Sequence, residues 1–180
     1  MEKPELKRLK ILSMGDAEVG KSCLIKRFCE GKFIQEYVAT IGIDYGVKNY
    51  KTHLEDVKIN FWDCGGDDAY LEIRNEFYKD IHAAFLVFDV NDAATFENLH
   101  KWYDEFQKYS SNEEIVFFLV GNKTDKDLRE VNSIQAEELA SKFNAQYYET
   151  SAQTGLNVEA MFSELFHAAL AANFKEYAQQ

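Results

Sequence analysis

The sequence is poor in proline and cysteine, and it has too few basic residues to balance its acidic ones. Its 180 residues include one proline and three cysteines, which is too few for a disulfide framework or a cysteine-rich metal site. We therefore expect a reduced, cytosolic setting. There are 20 Lys and Arg residues against 31 Asp and Glu residues, so the formal net charge is −11. Because such a surface repels polyanions, nucleic acid and anionic membranes are disfavoured as partners.

The sequence also lacks an apolar run long enough to span a bilayer, and it lacks signals for lipid attachment. Glu2 stands where myristoylation needs glycine, and residues 175–180 contain no cysteine for prenylation. We therefore expect no direct lipid anchor. With 46% hydrophobic residues, 28% charged residues and no visible domain boundary, the chain fits one domain over residues 1–180, with a core at about 7–172.

Short apolar runs alternate with amphipathic stretches along the chain. The runs predict strands at residues 9–14, 57–62, 83–90, 115–120 and 146–148, and the amphipathic stretches predict helices at residues 21–29, 96–109, 134–143 and 158–172. Residues 45–51 and 57–62 form a predicted hairpin with its turn near residues 54–56. We therefore predict an α/β fold with a mostly parallel six-stranded sheet, one antiparallel edge strand and helices on both faces. In such sheets a ligand binds at the carboxyl ends of the strands.

A glycine-containing motif follows the first predicted strand. Residues 15–22 read Gly-Asp-Ala-Glu-Val-Gly-Lys-Ser and fit the pattern G-x-x-x-x-G-K-[ST], with a strand before and a helix after. The glycines let successive amides turn inward around phosphate oxygens. Lys21 brings positive charge to the β- and γ-phosphates, and the Ser22 hydroxyl can bind Mg²⁺. The motif therefore predicts a phosphate-binding loop, and it leaves ATPases and nucleotide kinases open.

Three further segments narrow the choice, and each follows a predicted strand. Residues 63–66, Asp-Cys-Gly-Gly, can hold Mg²⁺ through water and bring an amide to the terminal phosphate. Residues 122–125, Asn-Lys-Thr-Asp, offer a carboxylate that can accept hydrogen bonds from the N1–H and 2-amino groups of guanine, which adenine lacks. Residues 150–152, Thr-Ser-Ala, offer an amide for the guanine O6. Together the segments indicate a guanine-nucleotide site.

With these motifs in this order, the chain resembles the Ras-superfamily small GTPases, and specifically the Rab-like members, over residues 7–172. The Rab-like signatures are residues 40–45, 61–63 and 84–90. Three other segments are most similar to Rab-like proteins that carry a C-terminal J domain, namely residues 13–23, 74–80 and 149–155. A J domain needs a His-Pro-Asp turn, and the only proline is Pro4. We therefore expect a truncated form of such a protein or a member without that module.

The resemblance implies a P-loop NTPase fold of the Ras-like G-domain type, with GTP or GDP and Mg²⁺ as ligands. It places Ser22, Thr40 and, through water, Asp63 at the metal. Phe33 would pack on the guanine, and Tyr37 would close over the phosphates. The implied nucleotide-binding residues are Gly15, Asp16, Ala17, Glu18, Val19, Gly20, Lys21, Ser22, Cys23, Phe33, Tyr37, Thr40, Gly66, Asn122, Lys123, Asp125, Ser151, Ala152 and Gln153.

The resemblance also implies surfaces for protein partners. Tyr45, Trp62 and Phe77 would form an aromatic face for effectors. GTP with Mg²⁺ would order a first switch segment, residues 37–44, and a second switch segment, residues 63–78, which exchange and activating proteins would also bind. We expect a monomer in the cytoplasm, which a partner recruits to vesicle membranes or to the ciliary base.

One departure from the family pattern affects the expected chemistry. Asp67 stands where the family usually has glutamine, and Lys21 and Asp67 are the candidate catalytic residues. A glutamine amide can orient the attacking water and donate to the transition state, whereas an ionised aspartate has no donor. Its repulsion by a phosphate charge about 5 Å away amounts to roughly 3 kcal/mol at an effective dielectric near 20. We therefore expect slow hydrolysis. Two alternatives stay open: a module that holds GTP without hydrolysing it, and a nucleotide kinase.

Overall fold

The structure is a computed structural model that describes residues 6–110 and 115–178. The predicted domain covers residues 1–180, of which residues 1–5, 111–114 and 179–180 lie outside the described residues. The strands are β1 (Arg8–Met14), β2 (Ile43–Lys51), β3 (Asp56–Cys64), β4 (Ala83–Asp89), β5 (Val116–Asn122) and β6 (Gln146–Glu149). The helices are α1 (Lys21–Glu30), α2 (Leu71–Arg74), α3 (Ala93–Glu97), α4 (Leu99–Tyr109), α5 (Ser133–Lys142) and α6 (Val158–Asn173). Short 3₁₀ turns cover Asp68–Tyr70, Asn75–Tyr78 and Lys175–Tyr177.

The six strands form one sheet in the order β2-β3-β1-β4-β5-β6. All neighbouring pairs are parallel except β2 with β3, which are antiparallel. This confirms the predicted fold class. The hairpin turn, predicted near residues 54–56, comes earlier, because Lys51 already pairs with Asp56 and the Thr52 amide donates to the Glu55 carbonyl at 3.1 Å. The turn is therefore residues 52–55, and Asp56 begins β3.

Helices cover both faces of the sheet. The helices α1 and α6 pack on one face, and α4 and α5 pack on the other. All seven residues of β4 are buried, and the first six alternate between the two cores: Ala83, Phe85 and Val87 on the α1–α6 side, and Ala84, Leu86 and Phe88 on the α4–α5 side. Burial on both faces explains why this strand is apolar at nearly every position. The parallel strands end at a common rim, where the predicted site residues lie.

The helix predicted at residues 96–109 is wrong in its start and its continuity. It begins earlier, with α3 at Ala93, where the Asp92 carboxylate accepts a hydrogen bond from the Ala94 amide at 3.0 Å. It is then interrupted at Asn98, and α4 follows from Leu99. The short helix α2 and the 3₁₀ turns were not predicted, because segments of three or four residues have no apolar period to detect. Within the described ranges, none of the helices is both long enough and apolar enough to cross a membrane.

Candidate functional site

The predicted phosphate-binding loop connects β1 to α1. Gly20 adopts φ 102°, and a Cβ at this position would lie 2.3 Å from the Asn122 amide nitrogen, so a side chain is excluded. The Lys21 ammonium turns back over the loop and donates to the carbonyls of Gly15 at 2.8 Å and Asp16 at 2.7 Å. Burial lowers the pKa of Lys21, although the neighbouring Asp63 acts in the opposite direction. The ammonium is thus held beside the loop amides, from where it can reach a bound phosphate.

The three predicted metal ligands lie together at the start of α1. The Ser22 hydroxyl lies 2.9 Å from the Thr40 hydroxyl and donates to the Asp63 carboxylate. The other Asp63 oxygen accepts a hydrogen bond from the Ser13 hydroxyl at 2.6 Å. Burial raises the pKa of Asp63, and the two serine hydrogen bonds and Lys21 only partly offset it. Two hydroxyls and one carboxylate form an all-oxygen set that fits Mg²⁺, whose remaining ligands would be water and phosphate oxygens.

Asn122, at the end of β5, joins three loops. Its amide nitrogen donates to the Val19 carbonyl of the phosphate loop at 2.9 Å. Its carbonyl oxygen accepts from the Thr150 hydroxyl and from the Ala152 amide, both at 3.2 Å. This residue is buried, so its partners hold it in one orientation. The phosphate loop and the two predicted guanine loops are thereby fixed relative to one another.

The other guanine-loop residues are arranged around this junction. Asp125 is exposed, and its carboxylate accepts a hydrogen bond from the Ser151 hydroxyl at 2.5 Å. The Lys123 ammonium lies 2.7 Å from the Asp89 carboxylate, which fixes the far end of the Lys123 side chain. The carbonyls of Ala152 and Gln153 both accept hydrogen bonds from the Arg27 guanidinium. Arg27 therefore anchors the last guanine loop to α1, a role that no sequence motif indicated.

A cavity of about 770 Å³ opens between the phosphate loop and the loop after β5. Its lining includes Glu18, Asp89 and Glu130 as well as Lys123, so it is largely acidic. Such a surface repels phosphate, and it does not include Lys21 or Ser22. The predicted phosphate contacts Lys21 and Ser22 therefore lie outside this cavity.

Comparison with known proteins decides the family. A sequence model described as the Ras family matches residues 10–171, nearly the whole chain. The chain belongs to the Ras family. Guanine-nucleotide binding goes with this membership, and it agrees with the order of the phosphate and guanine loops.

Several curated relatives of this Ras-family chain carry nearly the same name. DnaJ homolog subfamily C member 27 from Bos taurus is 42% identical over 88% of this chain and 60% of its own length. The protein of that name from Homo sapiens is 41% identical over the same shares. DnaJ homolog subfamily C member 27-A from Xenopus laevis is 42% identical over 89% of this chain and 61% of its own. The chain thus spans about three fifths of the length of these relatives, and their description confirms the predicted resemblance to J-domain proteins.

The departure from the Ras-family pattern lies on the turn after β3. Gly66 packs so closely on the phosphate loop that a Cβ there would lie 2.1 Å from the Ala17 nitrogen. Next to it, the exposed Asp67 uses its carboxylate to cap a 3₁₀ turn, accepting from the Ala69 amide at 2.8 Å. The position expected to bear glutamine is therefore close to the phosphate loop, but its side chain is engaged with its own backbone.

The predicted effector residues form a continuous aromatic face in this Ras-family fold. Tyr45 and Trp62 pair across β2 and β3, with ring centroids 4.6 Å apart. The Trp62 and Phe77 centroids are 4.9 Å apart. Tyr45 is 47% exposed, and Ile41, which precedes it, is 80% exposed. The face is thus apolar and accessible at one end.

Three further predicted nucleotide contacts differ in their surroundings. Phe33 and Cys23 are half-buried against the α1–α6 core, and Tyr37 is exposed. Sequence reasoning also missed the partners of Asp16. The Asp16 carboxylate accepts hydrogen bonds from the Trp102 indole at 2.7 Å and from the Asn98 side-chain amide at 2.8 Å. The phosphate loop is therefore attached to α4 and to the residue that precedes it. No local pattern could reveal a contact between positions 86 residues apart.

Proposed function

We propose that this chain is a Rab-like molecular switch that binds GTP or GDP with Mg²⁺ and changes its partner surface with the bound nucleotide. The observation that carries the proposal is the Asn122 junction, which ties the phosphate loop to both guanine loops. A site for phosphate alone has no need of that connection. We further propose that residues 1–180 form one G domain, with its core at about 7–172.

Each part of the nucleotide has a proposed set of residues. The amides of residues 15–23 and the Lys21 ammonium bind the phosphates. Ser22 and Thr40 bind Mg²⁺ directly, and Asp63 binds it through water. Asp125 recognises the N1–H and 2-amino groups of guanine, the Ala152 amide reaches its O6, and the Lys123 stem covers the ring. Phe33 and Tyr37 close over the nucleotide from the other side.

The start of the first switch segment, together with the residues just before it, can respond to the ligand because the protein itself holds these residues weakly. Among the described residues, those at 32–39 have no hydrogen bond, and Val38 is 70% exposed. At the next residue, Thr40 touches Ser22, so a metal shared with the γ-phosphate would draw the segment inward. We propose that effectors bind the resulting surface together with Tyr45, Trp62 and Phe77. Exchange and activating proteins would act on the same segments of a cytoplasmic monomer.

Hydrolysis by the isolated chain is proposed to be slow. Asp67 has no hydrogen-bond donor in its side chain, and its carboxylate is occupied as a cap. A partner would have to supply charge that stabilises the transition state. The same observation favours a second candidate function, a module that holds GTP with negligible hydrolysis. Single-turnover hydrolysis with and without a protein partner separates the two candidates. Only for a switch that cycles should the partner accelerate hydrolysis.

The test of guanine-nucleotide binding is to denature the purified protein, identify the released nucleotide, and titrate the emptied protein with GDP, GTP and ATP by calorimetry in Mg²⁺. We expect guanine nucleotides to bind and ATP not to. Asp125→Ala should weaken GDP binding about 100-fold, because two charge-assisted hydrogen bonds are lost. Asp127→Ala, an exposed residue of the same loop, is the matched control and should leave affinity unchanged. Equal binding of ATP, or no nucleotide binding, would disprove the proposal.

A further inference from the structure

A buried arginine, to which no sequence motif gives a role, lies in the second switch segment. Arg74, the last residue of α2, is 1% exposed. Its Nε and Nη2 donate to the two carboxylate oxygens of Glu105 on α4, at 2.6 and 2.8 Å. The Tyr78 hydroxyl donates to the same carboxylate at 2.6 Å. The Arg74 guanidinium also lies over the Trp102 ring, 4.3 Å from its centroid.

The remaining arginine nitrogen reaches the turn that faces the phosphates. Arg74 Nη1 donates to the carbonyl of Asp67 at 2.6 Å and lies 3.4 Å from the carbonyl of Gly65. These carbonyls flank Gly66, the residue packed on the phosphate loop. One guanidinium therefore connects the Gly65–Asp67 turn to α4 through bonds at three nitrogens.

The helix α4 is in turn fixed to the phosphate loop. The Trp102 ring receives Arg74 on its face and donates from its indole nitrogen to Asp16. A closed set of contacts thus runs from the phosphate loop to α4, from α4 to Arg74, and from Arg74 back to the turn beside the loop. Each of these contacts joins two groups of the protein itself.

The strength of this arrangement comes from burial. A buried bidentate arginine–carboxylate pair is geometrically specific, and removing one partner leaves an uncompensated buried charge, which strongly destabilises the fold. By contrast, the neighbouring Lys101–Asp68 pair is more than half exposed and contributes little to stability. The second switch segment is therefore held by the Arg74 contacts, whereas residues 32–39 have no comparable anchor.

We propose that Arg74 is a positioning residue that holds the Gly65–Asp67 turn against the phosphate loop with GDP as well as with GTP. The nucleotide-dependent change then falls on residues 32–41, whereas Gly42, whose carbonyl accepts a hydrogen bond from the Gly65 amide at 2.7 Å, and residues 65–78 keep their place in both states. This rests on the proposed function as a guanine-nucleotide switch. It revises one expectation, since the family resemblance implies that both segments become ordered with GTP. Phe77 would accordingly present its part of the aromatic face in either state.

The decisive measurement is hydrogen exchange on nucleotide-free, GDP-loaded and GTP-analogue-loaded protein. Peptides covering residues 65–78 should be protected in all three forms, and should differ less than about 2-fold between the two nucleotides. Peptides covering residues 32–41 should slow about 10-fold or more when the analogue replaces GDP. If residues 65–78 gain protection only with the analogue, the proposal is wrong. The nucleotide-free arm gives this answer even if calorimetry shows no guanine-nucleotide binding, which would refute the proposed function instead.

A double variant separates positioning from folding. Arg74→Met with Glu105→Gln removes both charges and leaves neither buried alone, so the protein should still fold. Exchange of residues 65–78 in its GDP form should rise about 10-fold. Its affinity for the GTP analogue should fall about 5–10-fold more than its affinity for GDP, because the γ-phosphate must now order the turn. Unchanged exchange together with an unchanged affinity ratio would overturn the role of Arg74.

Two further variants test the contacts individually. Lys101→Ala removes the exposed pair of the same segment, and should change the affinity ratio less than about 2-fold. Arg74→Lys keeps the charge beside Glu105, but a lysine has no planar fork to reach the carbonyls of Asp67 and Gly65 as well. It should fold, and its affinity for the GTP analogue should still fall relative to its affinity for GDP. A wild-type ratio of the two affinities in Arg74→Lys would show that charge alone suffices, and would refute the positioning role.

Discussion

Two segments facing the same proposed ligand are held by different forces. Residues 32–39 lie exposed apart from the half-buried Phe33, and their nearest polar anchor to the site is the Thr40 hydroxyl beside Ser22. Residues 65–78 are tied to α4 by the buried Arg74 and to the phosphate loop by the close approach of Gly66. Under the proposed function, the ligand would order the first segment, whereas the second is already held by contacts within the protein. Two segments beside the same nucleotide would then differ in how strongly they respond to it.

The largest expected effect on stability comes from removing the Arg74 contacts that hold residues 65–78. Arg74→Met alone leaves Glu105 buried without its partner, and should lower the free energy of unfolding by about 3–5 kcal/mol. Urea denaturation measures the loss. Val38→Ala, in the exposed segment, should change the same quantity by less than about 0.5 kcal/mol. Similar losses for the two variants would remove the distinction between the segments.

The next effect concerns the link between α4 and the phosphate loop. Asp16→Ala leaves the Trp102 indole and the Asn98 amide without their acceptor, and should cost about 1.5–3 kcal/mol of unfolding free energy. Thermal or urea unfolding provides the measurement, with Glu18→Ala, an exposed residue of the same loop, as the control. A control variant as unstable as Asp16→Ala would show that the loop, and not the link, was disturbed.

Asp67→Gln tests what the anchored turn contributes to GTP hydrolysis. The substitution gives the anchored turn an amide that can donate to the transition state and orient water. Single-turnover hydrolysis should accelerate about 10-fold, equivalent to roughly 1.4 kcal/mol of barrier. Asp68→Asn, which neutralises the adjacent carboxylate, should leave the rate unchanged. Wild type hydrolysing GTP as fast as the Asp67→Gln variant would contradict this prediction.

The smallest expected effect is a pH dependence at the guanine loop. Burial alone would raise the pKa of Asp89, but hydrogen bonds from Lys123 and Asn91 keep it below the ordinary value of 3.8. Because the folded-state pKa is depressed, Asp89 stabilises the protein above pH 3.8, and that contribution is lost as the pH falls through the folded-state pKa. Wild type should therefore exceed Asp89→Asn in stability by about 1 kcal/mol at pH 7 and by less at pH 3. A gap that widens in acid would reverse the assigned sign.

Sequence patterns were sufficient to predict those parts of the fold that depend on neighbouring residues alone. The strand predicted at residues 83–90 is β4 with one residue fewer, and it was predictable because residues 83–88, which are buried on both faces of the sheet, are all apolar. The phosphate loop was predictable because its motif is contiguous. The aromatic contacts of Trp62 were expected from family resemblance, and the structure places the three rings in a row.

Other features depend on partners distant in sequence. The short helix α2 has no periodicity of its own, and its anchor is Arg74 bound to Glu105 on another helix. Glu105 gave a weak signal that could have been used, since it is a charged residue beside Trp102 and Phe106 on the apolar stripe of α4. Phe33 was assigned to the nucleotide by resemblance, whereas its packing against the α1–α6 core follows only from the folded chain.

The pairing of Arg74 with Glu105 also constrains how this protein can diverge. The two residues are 31 positions apart in the chain, yet loss of either one would leave the other charged and unpaired in the protein interior. Descendants should therefore keep both or exchange both, through an intermediate that folds poorly. Co-variation at these two sites would mark the lineage in which the arrangement is retained.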